Sequence, residues 1–329
     1  MKFDIKKLYS NIMSKYSIYF VLFIMIIVCS FLNSNFLTFS NLSNISSQLA
    51  VTTILACGAT MLIIAGMIDL SCGSVLALAG VLSVASYKHT NNMILAILVA
   101  IIIGVICNLI NGIMITKFKV PPFIATLAML TMARGAALKY TAGQNIYQIG
   151  NYTILGQGTL PGGIPIAVLF LILFVVITWY ILTHKKLGRA LYAIGGNEEA
   201  AIASGINVDK SKILVFVLNG IFVGFAGVLF MSRNNVGLPN GAVSYELKAL
   251  TAAVIGGTSF SGGLGTAQGT VAGAFIVGFL DNIMTLIGVD SYIQQIIRGA
   301  IIAIAVIYDL YSKNKTLKNK LKKDRKSVV

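Results

Sequence analysis

Residues 93–116, MILAILVAIIIGVICNLINGIMIT, run without a single charged side chain. About 20 such residues cross the ~30 Å hydrocarbon core of a bilayer as a helix. Nine further apolar segments can be drawn, at 17–35, 47–66, 72–87, 121–138, 163–183, 211–231, 246–261, 264–286 and 292–311. The third, fifth and eighth of the ten are short or glycine-rich, which admits a broken or re-entrant segment there. Only 11% of the 329 residues are charged, against roughly 25% in soluble domains, so a water-soluble exterior cannot be assembled. Backbone groups in lipid must be satisfied internally, and none of the runs alternates as a barrel strand does. The expected fold is an all-α, polytopic transmembrane bundle of about ten spans.

The lysines and arginines orient that bundle. With the N-terminus inside, they gather in residues 1–16, at Lys117 and Lys119, in 184–212, and in the tail at 312–329. Only six of the 25, Lys88, Arg134, Lys139, Arg233, Lys248 and Arg298, fall elsewhere. This agrees with the positive-inside rule and places both termini in the cytoplasm. The chain divides into a basic N-terminus (1–16), a membrane domain (17–311) carrying one sizeable cytoplasmic loop (184–212), and a basic tail (312–329). The run after the N-terminus is long for a signal peptide and lacks an A-x-A-like site, so it is read as a retained first helix. The net charge of +15, spread over loops and tail without a nucleic-acid motif, fits membrane lipid as the partner. Cys29, Cys57, Cys72 and Cys107 lie in or beside apolar segments without paired spacing, as small core residues do. His89 and His184 fall at predicted helix ends. Nothing here assembles a metal or cofactor site.

The loop contains GGNEEAAIASG, with the grammar of a short helix at about 198–204. Asn197 can cap it, Glu198 and Glu199 suit the positive end of its dipole, and Gly205 can end it left-handed. Gly195 and Gly196 read as a flexible lead-in. A solvated connector and a knob for a partner protein are both open on composition.

GRALYAIGGNEEAAIASGIN resembles the cytoplasmic loop of the permease subunits of ATP-binding-cassette (ABC) importers of the ribose/galactoside type. Glu199-Ala200-Ala201 with Gly205 resembles the EAA-x-x-x-G core of their coupling helix; the later I-x-L-P portion is missing. GMIDLSCGSVLALAG (66–80) resembles the family's G-G-I-D-L-S-x-G-S block, with Met67 for the second glycine. YELKALTAAVIGGTSFSGGLGT (245–266) resembles a second block, with Lys248 where aspartate is usual, and 287–306 resembles the final helix. The resemblance covers about 17–311 and implies an inner-membrane, multi-pass, non-catalytic subunit for monosaccharide import, ribose first and galactose next. It further implies a second permease subunit (identical or paralogous), a separate cytoplasmic ABC ATPase, and an extracytoplasmic sugar-binding protein or lipoprotein. The chain has no G-x-x-x-x-G-K-[ST] with which to cradle ATP itself. Arg189, Gly195, Gly196, Asn197, Glu198, Glu199, Ala200, Ala201 and Gly205 are then the candidates for the ATPase-coupling loop.

Asp69, Ser71 and Ser74 interrupt apolar sequence between spans two and three. The topology puts them near the cytoplasmic side, where Asp69 or Ser71 could cap the helix starting near Cys72, with Gly66 and Gly73 allowing the turn and close packing. A substrate contact is the competing reading. Thr258, Ser259 and Ser261 lie in a second small-residue break, GGTSFSGGLGTAQGTVAG (256–273), laid out like 58–80. Asp281 lies within the ninth span and is either a pathway or subunit-interface group or a satisfied structural contact. Tyr245 and Glu246 fall at the expected outer mouth, as binding-protein contacts or solvated groups. Tyr140, Tyr147, Tyr152 and Phe230 also fall near the outer side, mostly as aromatic-belt residues. An ion-coupled secondary transporter using Asp69 and Asp281 is the alternative function. A membrane enzyme lacks any catalytic cluster in the sequence.

Overall fold

A computed structural model describes residues 5–307 and Tyr311, with side chains from Ser17 onward. The basic tail at 312–329 and the side chains of 1–16 lie outside the described residues. The long helices, in order, are α1 (Ile5–Leu32), α2 (Phe39–Ile64), α3 (Cys72–Thr90), α4 (Met93–Thr116) and α5 (Pro122–Thr141). After a short α6 (Ile154–Gln157) come α7 (Ile166–His184), α8 (Lys186–Gly196), α9 (Glu198–Ala203), α10 (Val208–Asn234), α11 (Tyr245–Ile255) and α12 (Ala267–Leu286). The last, α13, is Ser291–Ile307. No strand longer than an isolated bridge occurs among the described residues.

Each of the ten apolar segments carries a helix among the described residues. Among the described residues, five helices, α2, α4, α7, α10 and α12, are long and apolar enough to cross a membrane. The third and fifth segments are unbroken as α3 and α5. The eighth is short: the 11 residues of α11 rise only ~16 Å at 1.5 Å per residue. Local chemistry sets several of the ends. Asn92 Oδ1 accepts from Leu95 N at 3.1 Å, Asn207 Oδ1 from Lys210 N at 3.0 Å and Thr266 Oγ1 from Gly269 N at 3.0 Å, each satisfying a donor the helix leaves free.

The layout follows side-chain size. On α4, Ile94, Leu98, Ile102, Ile106, Ile110 and Ile113 form an exposed stripe at helical spacing. The opposite face carries Ala96, Ala100, Gly104, Cys107, Asn108 and Asn111, all buried. Lipid tails are as apolar as leucine, so bulk gains nothing between membrane helices, whereas small residues let backbones close up. Helix α10 takes that approach and packs on α4, α3 and α2. A Cβ at Gly220 would stand 2.5 Å from Gly104 O and 2.7 Å from Val105 Cα. Gly220→Leu should therefore cost more than the ~1–3 kcal/mol of ordinary overpacking, seen as a lowered unfolding temperature in detergent. Gly135→Leu, with nothing within 4 Å of its Cβ position, should leave that temperature unchanged. Helix α2 is the centre of the bundle, buried continuously from Leu49 to its end at Ile64.

Candidate functional site

Two helix breaks meet inside this bundle. The first, 65–71, joins α2 to α3, and the second, 256–266, joins α11 to α12. Gly66 turns the first at φ +76, and Gly257, Gly262 and Gly263 turn the second at φ +83, +79 and +77, a region that side chains disfavour. The breaks are bonded to each other, Gly263 N donating to Ile64 O at 2.9 Å. Thr60 and Thr270 hydroxyls lie 2.6 Å apart and tie α2 to α12.

Asp69 is buried in the first break. One carboxylate oxygen accepts from Ser71 N at 2.7 Å and Ser71 Oγ at 2.5 Å; the other accepts from Asn219 Nδ2 at 2.7 Å. Asn219 also donates to Asn108 Oδ1 at 2.9 Å, and Asn111 Nδ2 to Ser71 Oγ at 3.1 Å. The expected cap is not made. Ser71 precedes α3 without a side-chain bond to the helix, because Asp69 spends its acceptors on Ser71 and on α10. Asp69 lies between the end of α2 and the start of α3, yet level with the interior of two other helices. Asn219 is mid-way along α10 and Asn108 and Asn111 are inside α4, so the carboxylate is enclosed where three helices converge. Ser74 is buried one turn further on. Asn108, Asn111 and Asn219 are the partners that sequence reading misses; asparagines three residues apart in an uncharged helix are the available signal.

In the second break, Thr258 and Ser259 are buried and Ser261 is half-buried. Gly269 and Gly273 of α12 face the backbone of α11, with a Cβ on Gly273 only 2.7 Å from Gly256 N, so the hairpin closes backbone to backbone.

Glu246 does not look outward. A Cβ on Gly73, in the first turn of α3, would run into its carboxylate and lie 2.6 Å from Ala242 O. The loop before α11 folds back into the bundle, held by Arg134 Nη1, which donates to Pro239 O and Gly241 O at 2.7 Å each. Tyr245 packs edge-on to Phe230 at 5.3 Å between centroids. Of the other outer aromatics, Tyr140 and Tyr147 are exposed, while Phe230 and Tyr152 are buried, the Tyr152 hydroxyl lying 2.8 Å from Ser83 Oγ.

Asp281 is held between two cations, Lys248 Nζ at 2.8 Å and Arg298 Nε at 2.6 Å. A cavity of about 230 Å³ opens beside this triad between α11, α12 and α13, lined by Lys248 and Arg298 with aliphatic walls.

The loop at 184–212 is a compact module. Asn197 Oδ1 accepts from Ala200 N at 2.9 Å and caps α9, and Gly205 ends it at φ +79. Lys212 Nζ pairs with both Glu198 oxygens at 2.8 Å. Ile194, Ala201 and Val208 form a separate small core joining α8, α9 and the start of α10. Arg189, Glu199, Ala200 and Ile202 are exposed. Gly195 and Gly196 are not a flexible lead-in; they close the last turn of α8, an 11-residue helix that composition conceals behind its charges.

Known proteins are similar to this chain over most of its length. Residues 41–306 match the family described as branched-chain amino acid transport system / permease component. The ribose import permease protein of Bacillus subtilis is 41% identical over 304 residues, 92% of this chain and 94% of that one. The L-arabinose transport system permease protein of Escherichia coli is 33% identical over 304 residues, 92% of each chain. The galactose/methyl galactoside import permease protein of the same organism is 33% identical over 323 residues, 92% of this chain and 96% of that one. No solved structure matches.

Proposed function

Because the chain belongs to this family of ABC-importer permease components, we propose that it is the membrane subunit through which a monosaccharide, ribose first, is imported. Its pathway is completed by a second permease subunit, its energy comes from a separate ABC ATPase on the cytoplasmic side, and its sugar is delivered by an extracytoplasmic binding protein. The ten helices at the ten apolar segments serve as ten spans, with both termini cytoplasmic. The family description names branched-chain amino acids, but the relatives above, matched over nine-tenths of the chain, are named for ribose, arabinose and galactose. The chain contributes no hydrolysis of its own. An ion-coupled transporter fits less well: Asp281, one of its two ion sites, already has two cations on its carboxylate.

The observation that carries the reading is the 184–212 module, with its own core and an outward face of Arg189, Glu199, Ala200 and Ile202. A solvated connector has no need of a core. Glu199→Lys reverses a charge on that face without touching the Lys212–Glu198 pair. Gly205→Pro demands φ near −65° where the chain holds +79. Each is expected to weaken co-purification of the ATPase subunit about tenfold, some 1.4 kcal/mol, and to reduce uptake of radiolabelled ribose into proteoliposomes. Unchanged assembly and uptake in both variants would remove the module from the coupling role.

A further inference from the structure

The junction between the surface module and the two breaks carries a further inference, which rests on the permease reading above. We propose that Gly195 and Tyr192 are positioning residues that fasten α8 to both helix breaks at once, so that force applied to α9 moves the α2–α3 and α11–α12 hairpins together.

The contact at Gly195 is backbone on backbone. A Cβ there would overlap Ile64 O, the last residue of α2, and stand 2.6 Å from Gly263 N in the second break. These are the two groups that bond the breaks to each other at 2.9 Å, so α8 ends directly on the seam. The fit is mutual. A Cβ on Gly262 would lie 2.8 Å from Gly195 O, and one on Gly263 would lie 3.1 Å from Gly196 Cα. One turn earlier, Tyr192 donates its hydroxyl to Gly265 O at 2.7 Å. The other side of α8 gives Ile194 to the small core with Ala201 of α9 and Val208 of α10.

A packed contact without side chains has no rotamer that can yield, so a displacement is passed on. From the seam it reaches two places. Through 65–71 it reaches Asp69, which is bonded to Asn219 of α10. Through 256–266 it reaches the start of α12, where Gly256 and Gly269 are in backbone contact. The neighbouring glycine supplies a control. Gly196 belongs to the same turn of α8, yet its Cβ position has nothing within 4 Å.

The test uses the full chain reconstituted with its ATPase subunit and binding protein in liposomes. It compares assembly, basal ATP hydrolysis, stimulation of hydrolysis by sugar-loaded binding protein, and uptake of radiolabelled ribose. Gly195→Ala is expected to lower stimulation and uptake about tenfold, the upper range for coupling variants, a larger fall than in assembly or basal hydrolysis. Gly196→Ala, whose Cβ meets nothing within 4 Å, should lose far less stimulation and uptake than Gly195→Ala. Tyr192→Phe removes one hydroxyl without adding bulk and should lower stimulation about threefold with basal hydrolysis intact, which covers the case in which Gly195→Ala does not fold. Parent-like uptake in Gly195→Ala or equal losses in Gly195→Ala and Gly196→Ala would overturn the proposal. So would a parallel fall of assembly, basal hydrolysis and uptake in Tyr192→Phe, because that pattern marks a merely structural contact. If the parent chain binds no ATPase subunit at all, the permease reading fails first and takes this inference with it.

Discussion

Asp281→Asn is expected to lower the stability of the detergent-solubilised chain by about 3–5 kcal/mol, the usual consequence of removing one partner from a buried ion pair. The carboxylate holds Lys248 and Arg298 together; the side chains of Asp281, Lys248 and Arg298 are 6%, 10% and 22% exposed. Without it, two cations face each other in an apolar wall between α11, α12 and α13. Arg298 keeps a bond to Gln294 Oε1 at 3.1 Å and Lys248 keeps the Tyr245 ring at 5.0 Å, but neither supplies negative charge. Lys248→Met should be far milder. Arg298 still neutralises Asp281, and the group goes from a net positive charge to none. The double variant Asp281→Asn/Lys248→Met should regain much of the loss, since a single arginine remains with Gln294 beside it. Thermal unfolding of the three variants decides the matter. If Lys248→Met costs as much as Asp281→Asn, lysine is the indispensable partner and the charge argument is wrong.

The triad also shows where sequence reading stops. Asp281 is visible as a carboxylate in an apolar run, and Lys248 as a departure from the resembling block, but nothing local joins positions 33 residues apart on different helices. Features that depend on one helix are legible. The ten apolar segments coincide with ten helices because run length alone carries that signal, and Asn197 and Gly205 bound α9 because capping is decided within one turn. Features that depend on two elements are not. Asp69 reads as a local cap, whereas its acceptors are taken by Ser71 and by Asn219, 150 residues away. Gly195 and Gly196 look alike in sequence, and only the backbone pressed against Gly195 separates them. Linear topology puts Glu246 outside because it cannot show that the loop before α11 turns back towards α3.

Asp69→Asn, which a capping role would tolerate, is expected to be harmful at its observed position. The amide oxygen can still serve Ser71, but the new Nδ2 would face Asn219 Nδ2, donor against donor. Turning Asn219 over would relieve that clash and forfeit its bond to Asn108 Oδ1 at 2.9 Å. The residue has no room to move aside, since its Oδ1 lies against Gly58 of α2. An unpaired buried donor costs about 1–3 kcal/mol, so Asp69→Asn should lower the unfolding temperature by several degrees. Asp69→Leu, which leaves Ser71 N and Ser71 Oγ without their acceptor and takes from Asn219 Nδ2 one of its two, should lower it further. The decisive variant is the exchange Asp69→Asn/Asn219→Asp, which restores a donor opposite an acceptor between the first break and α10. Its loss of stability should fall short of the sum of the single losses by at least ~1 kcal/mol, the scale of coupling between residues in one hydrogen-bond network. Additive losses would mean that Asp69 and Asn219 are neighbours without energetic connection. The break would then be held to α10 by packing alone, which is the arrangement a capping residue at the inner end of the bundle would have required.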